Sequence, residues 1–285
     1  MKLVIIGGLT NGNILLDYFY KKKNISIELL ITYPKKFKVP RYKKIKNSYI
    51  GKLNVIYDLN ANKYYEMISK IQPDIIFVIG WSGMIDQKII DIPRNGCIGF
   101  HPSKLPLNRG RSVLAWQIEE GIEKSAYTAF FMTKKPDAGD IIVQQNFTIK
   151  KNDYIVHVLD KVDITLKKIL PKLYKMIIAD KFTRIKQISK KASYRKLRNS
   201  DNSIIDWSVD ALSIYNKIRA ISKPYPGAFY KRGNQNIRVW RSKIVKLDKL
   251  RNNNPGKLLK IYKNGNKVFM TKDKPILIYS SDKKK

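Results

Sequence analysis

The sequence predicts an α/β protein with a doubly wound, mostly parallel sheet and a smaller β-rich C-terminal domain. Compact apolar runs at residues 3–7, 25–32 and 75–79 alternate with segments whose apolar residues recur at helical spacing. Such runs are typical of parallel strands that are buried on both faces. Short alternating segments beyond residue 236, with a hairpin signal at Asn264-Gly265, predict the second domain.

The elements of the first half follow in chain order from apolar spacing and from proline positions. Pro34 ends the second strand, and Pro73 follows the helix before the fourth strand. The predicted strands are residues 3–7, 25–32, 54–57 and 75–79, and the predicted helices are residues 11–20 and 64–71. In a sheet of this type, ligands gather at the carboxyl ends of the strands.

The second half contains a long amphipathic helix and a change of composition. Apolar residues keep steps of three and four over residues 153–179, which predicts a helix that packs on the sheet. Residues 181–203 turn polar and basic, so we expect a larger domain at residues 1–190 and a linker with a small, OB-like domain at residues 191–285. Ser208 is the expected N-cap of a further helix, which Pro224 ends.

Composition limits the classes of function. The chain carries 57 Lys and Arg against 22 Asp and Glu, a formal net charge of +35 over 285 residues. This charge suits a nucleic-acid partner, but most of it is lysine spread along the chain, which a compositional bias explains equally well. Cys97 is the sole cysteine, which excludes an internal disulfide and a cysteine-based zinc site. No apolar run is long enough to span a membrane, so we expect a cytoplasmic protein with no metal and no membrane partner.

The first turn argues against a dinucleotide site. Residues 7–12 read Gly-Gly-Leu-Thr-Asn-Gly, which places Leu9 where the dinucleotide fingerprint requires its second glycine. A tight turn that starts a helix is the favoured interpretation, and phosphate binding is the alternative.

The densest basic stretch lies at residues 33–52, which carry eight Lys and Arg side chains and no acidic residue. Tyrosine and phenylalanine are interleaved with these charges. The stretch follows the second strand, so it could attract a phosphorylated substrate or RNA to the ligand-binding edge of the sheet. A solvated loop is the equally weighted alternative.

His101 and a later acidic loop form the best candidate for an active site. His101 follows a short apolar strand, where an imidazole is placed for proton transfer near neutral pH. After a strand at residues 126–132, the loop at residues 136–140 brings Asp137 and Asp140 to what should be the same edge of the sheet. A carboxylate beside an imidazole fixes its tautomer and supports its charged form. A purely structural turn is the alternative.

These segments resemble the N10-formyltetrahydrofolate-dependent formyltransferases. The family signature is Asn-x-His-x-Ser-Leu-Leu-Pro, then Arg-Gly, then Asp-(Ser/Thr)-Gly-Asp. The segments that resemble it here are His101-Pro102-Ser103 with Leu105-Pro106, Arg109-Gly110, Trp116 and Asp137-Ala138-Gly139-Asp140-Ile141. Ile205-Asp206-Trp207-Ser208 and Lys223-Pro224-Tyr225-Pro226-Gly227-Ala228 are similar to later segments of methionyl-tRNA formyltransferases and of domains that formylate amino sugars. The resemblance extends to about residue 245 and implies the formyltransferase fold.

The resemblance also implies roles for individual residues. His101 and Asp137 occupy the positions of the catalytic pair, which handles the proton and the charge of an attacking amine. Asp140 would shape the loop. The implied co-substrate is N10-formyltetrahydrofolate, without a metal. The implied folate-binding residues are Gly80, Trp81, Met84, Ala138, Gly139 and Asp140, and the implied acceptor-binding residues are Ser103, Asn108, Arg109, Gly110 and Arg111.

One position departs from the family pattern. The family asparagine, whose amide donates to the developing oxyanion, is Gly99 here. Loss of such a donor typically costs about 100- to 1000-fold in rate. Either a backbone N–H, Ser103 or Asn108 replaces it, or the chain is a weakly active or inactive homologue. The retained His101, Asp137 and Arg109-Gly110 turn favour an active enzyme.

Two acceptors fit the resemblance. The loop at residues 80–82 and the turn at residues 108–111 look more like the branch that formylates nucleotide-linked amino sugars, for cell-surface polysaccharide. The stretch at residues 33–52 lies where the methionyl-tRNA enzymes carry a basic loop, but it lacks their Gly-rich, Arg-containing pattern. We therefore expect an amino-sugar nucleotide acceptor, with tRNA as the alternative. A non-catalytic, basic RNA-binding homologue is a second alternative, and homodimerisation is left open.

Overall fold

The computed structural model describes residues 1–34, 36–37, 41, 49, 51–247 and 254–280. Strands account for most of the regular structure in the C-terminal part, and strands and helices alternate in the N-terminal part. In chain order, the strands are β1 (Lys2–Gly7), β2 (Ser26–Thr32), β3 (Val55–Tyr57), β4 (Ile75–Ile79), β5 (Cys97–His101), β6 (Arg109–Gly110), β7 (Lys124–Phe131), β8 (Ile141–Thr148), β9 (Tyr194–Arg195), β10 (Ala228–Arg232), β11 (Gln235–Val239), β12 (Ser242–Ile244), β13 (Leu258–Ile261), β14 (Lys267–Met270) and β15 (Pro275–Ile278).

The α-helices follow the apolar periodicity of the sequence. The longest of them has its apolar stripe buried, including Val158, Leu166 and Leu173. In chain order, the helices are α1 (Leu9–Tyr20), α2 (Tyr65–Ile71), α3 (Gln87–Ile90), α4 (Val113–Glu119), α5 (Ile155–Ile178) and α6 (Ala211–Ile221).

A seven-stranded sheet forms the centre of the N-terminal part, in the order β3-β2-β1-β4-β5-β7-β8. Strands β1 to β5 pair in parallel, and their inner residues, such as Ile5 and Phe77, are fully buried. The order reverses between β1 and β4, so the carboxyl ends of these strands border the crevice in which doubly wound sheets bind ligands. The predicted fold class is confirmed. Strand β7 pairs antiparallel with β5, which the apolar run alone does not reveal.

The chain divides into two compact units that are not continuous in sequence. The first comprises residues 1–110, 125–147 and 161–194, and the second comprises residues 111–124, 148–160 and 195–285. Helix α4 and the start of α5 belong to the second unit, although both precede residue 190 in the sequence.

The second unit is β-rich, as predicted. An antiparallel sheet has the order β12-β15-β14-β13, and β10 and β11 form a separate hairpin. The Asn264-Gly265 turn joins β13 to β14, and Gly265 has a φ of 79°, which suits glycine. Trp207, which is partly buried, stacks on the buried Phe269 with ring centroids 4.7 Å apart.

Helix α6 begins differently from the sequence prediction. Asp210, not Ser208, is its N-cap, and the Asp210 carboxylate accepts a hydrogen bond from the backbone N–H of Ser213 at 2.9 Å. The hydroxyl of Ser208 instead donates to Asp206 at 2.6 Å. The expectation for Ser208 was wrong because helix α6 begins three residues later, at Ala211, and Asp210 occupies the N-cap position. No helix in the described part of the chain is both long and apolar enough to cross a bilayer.

Candidate active site

His101 is the last residue of β5 and is buried, with 6% of its surface exposed. Its Nε2 lies 2.7 Å from the backbone carbonyl oxygen of Asn108. A carbonyl oxygen can only accept, so Nε2 carries a hydrogen. In the neutral imidazole, Nδ1 is therefore the nitrogen that is able to take up a proton.

The carboxylate of Asp137 faces that nitrogen. Asp137 Oδ1 lies 3.7 Å from His101 Nδ1, and Asp137 Oδ2 accepts a hydrogen bond of 2.7 Å from the backbone N–H of Gly110. Both side chains are mostly buried, so water screens their interaction only partly. A proton that arrives at Nδ1 would be stabilised by the adjacent negative charge.

Asn108 and Asp137, which face the two ring nitrogens of His101, share an uncommon backbone conformation. Asn108 has a φ of 55° and Asp137 has a φ of 54°. Asn and Asp are the non-glycine residues that tolerate this left-handed region best, and such conformations cluster at functional sites. The turns on either side of the imidazole are therefore specialised for holding it.

Arg109 does not point to a solvent-accessible acceptor site. It is only 2% exposed, and its guanidinium donates to Gln187 Oε1 from Nε at 3.2 Å and from Nη2 at 2.8 Å. Its Nη1 donates to the hydroxyl of Tyr194 at 2.9 Å. A substrate phosphate would have to displace these partners, so this geometry favours a role in holding the loops.

The other implied acceptor-binding residues have different environments. Ser103 is fully buried, and its hydroxyl donates to the Leu107 carbonyl at 2.7 Å, so its proton already has a partner inside the His101 loop. The Gly110 N–H is bonded to Asp137, as described above. Arg111 is exposed, and its backbone N–H donates to the Arg195 carbonyl at 3.0 Å.

The implied folate-binding residues form two groups. Gly80 and Trp81 follow β4, where Trp81 stacks on Tyr33 with ring centroids 4.8 Å apart. Gly80 has a φ of 57°, and a Cβ there would lie 2.6 Å from the backbone carbonyl oxygen of Gly8, so this position requires glycine. Met84, further along the same loop, is 66% exposed.

Ala138, Gly139 and Asp140 form the second group and line a cavity of about 430 Å³. Its remaining lining combines apolar side chains with two arginines. Neither His101 nor the Gly80 loop contributes to this cavity within the described residues. The remaining lining residues are Ile90, Asp91, Pro93, Arg94, Gly96, Cys97, Phe131, Met132, Thr133 and Arg184.

Gly99 faces a filled space. A Cβ at this position would lie 2.9 Å from Cζ of Phe130 and 3.0 Å from Cγ of Met132. Phe130 is the cross-strand partner of Gly99 and is itself buried. The Phe130 ring therefore occupies the space that the Cβ of the family asparagine would need at this position.

Cys97 lies on the same strand as His101 and is buried. Burial raises the pKa of its thiol, because the thiolate would have to be formed away from water. It is therefore not an activated nucleophile. In the described ranges, no cluster of three or more His, Cys, Asp or Glu side chains is placed to bind a metal ion.

Most of the basic stretch at residues 33–52 lies outside the described residues. Within it, Arg41 forms an ion pair with Asp163, and the Tyr49 hydroxyl donates to Asp17 at 2.6 Å. Burial, followed by the hydrogen bond to Asp17, raises the pKa of Tyr49.

Comparison with known families matches nearly the whole chain. Residues 1–173 match the formyl transferase model, and residues 198–285 match the model of the formyl transferase C-terminal domain. The chain belongs to the formyl transferase family. The first match includes His101 and Asp137, whereas Gln187 and Tyr194 lie in the segment between the two matches.

Curated formyl transferase relatives cover part of the chain. It is 36% identical over 201 residues to the bifunctional polymyxin resistance protein ArnA of Wigglesworthia glossinidia brevipalpis, which covers 70% of this chain and 31% of that protein. It is 28% identical over 207 residues to the methionyl-tRNA formyltransferase of Desulforamulus reducens, which covers 73% of this chain and 65% of that protein. The chain thus spans less than two thirds of these relatives.

Solved formyl transferase structures share the fold over a greater length. An N-formyltransferase from Helicobacter canadensis, in complex with folinic acid and dTDP-3-aminofucose, matches with a TM-score of 0.74 and 20% identity, over 98% of both chains. The methionyl-tRNA formyltransferase from Clostridium thermocellum matches with a TM-score of 0.62 and 21% identity, over 86% of this chain and 94% of that one.

Sequence reasoning missed the residues that hold the two loops of the candidate site. Gln187, Ser193 and Tyr194 lie in the polar, basic segment that was interpreted as a domain boundary. The one feature of the sequence that could have indicated them is the presence of amide and hydroxyl side chains within this segment. That composition is equally typical of a solvated linker.

Proposed function

We propose that this chain transfers a formyl group from N10-formyltetrahydrofolate to the primary amine of a nucleotide-linked amino sugar, in the synthesis of cell-surface polysaccharide. The observation that carries the proposal is the pairing of His101 Nδ1 with the Asp137 carboxylate at 3.7 Å, with Nε2 fixed by the Asn108 carbonyl. This pair has the parts that amine acylation needs, namely a proton acceptor and a charge that stabilises it.

The chemistry of this site is a proton transfer that accompanies group transfer. The folate supplies the formyl group when it is bound. The amine nitrogen forms a bond to the formyl carbon, and the bond from that carbon to N10 breaks. His101 Nδ1 accepts the proton that the amine loses, Asp137 stabilises the resulting imidazolium, and one proton is returned to N10. The products are the formamide and tetrahydrofolate, so atoms and charge balance.

The two loops named above supply the contacts for the folate. Residues 138–140 border a cavity whose volume lies within the range of about 300–1000 Å³ that ligand sites occupy. Its lining includes the apolar residues Ile90 and Met132 and the charged residues Arg94 and Asp140, a combination that suits a heterocycle with donors and acceptors. Trp81 packs against the same apolar cluster as Met132. These features support folate binding beside residues 138–140.

The choice of a sugar-nucleotide acceptor is supported by how much of each chain is matched and by the TM-scores of the solved structures. The Helicobacter canadensis protein, whose structure contains dTDP-3-aminofucose, matches this chain over 98% of both lengths and with the higher TM-score. The methionyl-tRNA formyltransferase from Clostridium thermocellum matches less closely, over 86% of this chain. Formylation of a sugar nucleotide needs a pocket for a diphosphate and a base and not an extended basic surface.

Initiator tRNA is the second candidate. It is favoured by the curated relatives, which include methionyl-tRNA formyltransferases at 28–30% identity. The net charge of +35 would also attract a polyanion.

An acceptor panel tests the proposal. The purified chain is incubated with N10-formyltetrahydrofolate and with dTDP-linked amino sugars, UDP-linked amino sugars or charged initiator tRNA. Products are identified by mass spectrometry as the acceptor plus one CO. We expect formylation of a sugar nucleotide, at a rate that far exceeds that on tRNA. Faster formylation of tRNA would establish the second candidate, and RNA binding without folate binding or product would overturn both.

A further inference from the structure

We infer that Gln187 is a positioning residue for the His101–Asp137 pair, and that the segment at residues 187–194 is part of the active site. This segment lies outside both family matches. The inference rests on the proposed roles of His101 and Asp137. Its basis is a set of hydrogen bonds from one segment to both loops that present these side chains.

The side-chain amide of Gln187 holds the aspartate loop by its backbone. Its Nε2 donates to the carbonyl oxygens of Asp137 at 2.9 Å and of Gly139 at 2.7 Å. Two carbonyls that are two residues apart thus converge on a single amide group. This fixes the curvature of the loop at the point where Asp137 adopts its left-handed conformation. The direction of the Asp137 carboxylate follows from that curvature.

Arg109 fixes the orientation of the Gln187 amide. Its guanidinium nitrogens can only donate, and two of them point at Gln187 Oε1. The oxygen of the amide must therefore face Arg109, and the nitrogen must face the two carbonyls. Because Arg109 is buried and also bonded to Tyr194, this arrangement has little freedom to rotate.

The same segment holds the His101 loop. The hydroxyl oxygen of Ser193 accepts the backbone N–H of Asn108 at 2.9 Å, and the Ser193 carbonyl accepts the backbone N–H of Arg109 at 2.8 Å. Asn108 in turn holds His101 through its carbonyl. Residues 187–194 therefore set the positions of both members of the pair.

The rate of formyl transfer should depend on the distance between His101 and Asp137, which this segment sets. Displacement of a catalytic group by about 1 Å can cost about 100-fold in rate while the fold stays intact. Loss of the Gln187 donors should thus lower kcat, and it should raise the folate KM to a smaller extent because Gln187 also holds Gly139, which borders the proposed folate cavity. A merely structural role predicts a lower melting temperature with an unaltered kcat at temperatures where the protein is folded.

Gln187→Glu is the informative variant, because a carboxylate still accepts from Arg109 but cannot donate to the two carbonyls. Gln72→Glu is the matched control. Gln72 is exposed in the same unit, and its amide also donates to a backbone carbonyl, that of Ser69 at 2.7 Å. Ser193→Ala is a second variant that removes the acceptor for the Asn108 N–H and changes the segment less.

Two readouts separate positioning from folding and from the choice of acceptor. The first is kcat and KM for formyl transfer to the best acceptor of the panel. The second is the long-range ¹H–¹⁵N spectrum of the imidazole rings, which needs no substrate. The chain has two histidines, so His157, which is exposed in the second unit, serves as an internal reference.

We expect Gln187→Glu to lower kcat by about 10- to 100-fold, to raise the folate KM by a smaller factor and to shift the His101 signals but not those of His157. Ser193→Ala should do the same to a smaller extent, and Gln72→Glu should match the wild type. Unmoved His101 signals in a folded Gln187→Glu or Ser193→Ala protein would overturn the inference, as would an unchanged kcat. If the wild type formylates no acceptor in the panel, the proposed function fails, and the imidazole signals alone still decide the role of Gln187.

Discussion

One short turn fixes both His101 and Asp137. The carbonyl of Asn108 holds His101 Nε2 at 2.7 Å, and the N–H of Gly110, two residues later, holds Asp137 Oδ2 at 2.7 Å. The free ends of the two side chains, Nδ1 and Oδ1, then face each other at 3.7 Å. Because each partner is oriented by backbone groups of the same turn, the pair needs little rearrangement to receive a proton.

The first prediction concerns the tautomer of His101. The Asn108 carbonyl can only accept, so we expect the neutral ring to carry its hydrogen on Nε2. The ¹⁵N shifts of the ring nitrogens measure this directly at a pH at which the ring is neutral. His157→Asn assigns the two sets of signals. A ring that carries its hydrogen on Nδ1 would contradict the geometry.

The second prediction concerns the packing over Gly99. We expect Gly99→Ala to lower the free energy of unfolding by about 1–3 kcal/mol, as overpacked cores do, because its Cβ would meet the Phe130 ring at 2.9 Å. Chemical denaturation measures the change. The same contact explains why restoring the family asparagine by Gly99→Asn should not restore a normal oxyanion donor in this chain.

Two further variants test whether the Phe130 ring causes the loss of unfolding free energy in Gly99→Ala. Gly12→Ala is the control, because a Cβ there meets only ordinary contacts at 3.4 Å or more and lies within helix α1. In the Phe130→Leu background, Gly99→Ala should cost at least about 0.5 kcal/mol less, since the two residues touch. Equal costs in both backgrounds would show that Phe130 is not the obstacle.

The fold was predictable where one periodicity dominates. The unbroken apolar run at Ile75–Ile79 has the bounds that the structure gives, because a strand buried on both faces has no polar position. Strand β8 (Ile141–Thr148) was not predicted, since its polar second half breaks the apolar pattern. The antiparallel pairing of β7 with β5 could not be predicted from the sequence either, because the path of the connecting loops sets the direction of a strand.

The candidate catalytic residues could be predicted from the sequence, but the residues that hold them in place could not. His101 and Asp137 were expected to lie close together because each follows a strand of the sheet. Strand β7 runs antiparallel to β5, so the carboxyl ends of these two strands do not meet, and the loops bring the two side chains together. Gln187 was not, because a residue that bonds to the backbone of a distant loop leaves no local pattern. Arg109 was expected to contact the acceptor, and its burial against Gln187 and Tyr194 could not be inferred from a motif that shows residue type alone.

The third prediction concerns Arg109. Lysine lacks the planar fork that reaches both Gln187 and Tyr194, so Arg109→Lys should lower the free energy of unfolding by about 2 kcal/mol or more. Arg111→Lys, at an exposed position, should change it by less than about 0.5 kcal/mol. Thermal denaturation compares the two variants. A raised KM for the acceptor without a loss of stability in Arg109→Lys would instead favour a contact with the acceptor phosphate.

The most direct test of the central claim, that His101 and Asp137 act as one unit in formyl transfer, is a double-mutant cycle on kcat. His101→Gln keeps a donor for the Asn108 carbonyl, and Asp137→Asn keeps an acceptor for the Gly110 N–H, so both variants should fold. We expect each to lower kcat by about 100-fold or more. The double variant should be hardly slower than the slower single one, because members of a catalytic unit are not additive. Multiplication of the two effects, or a single variant with the wild-type kcat, would contradict the account.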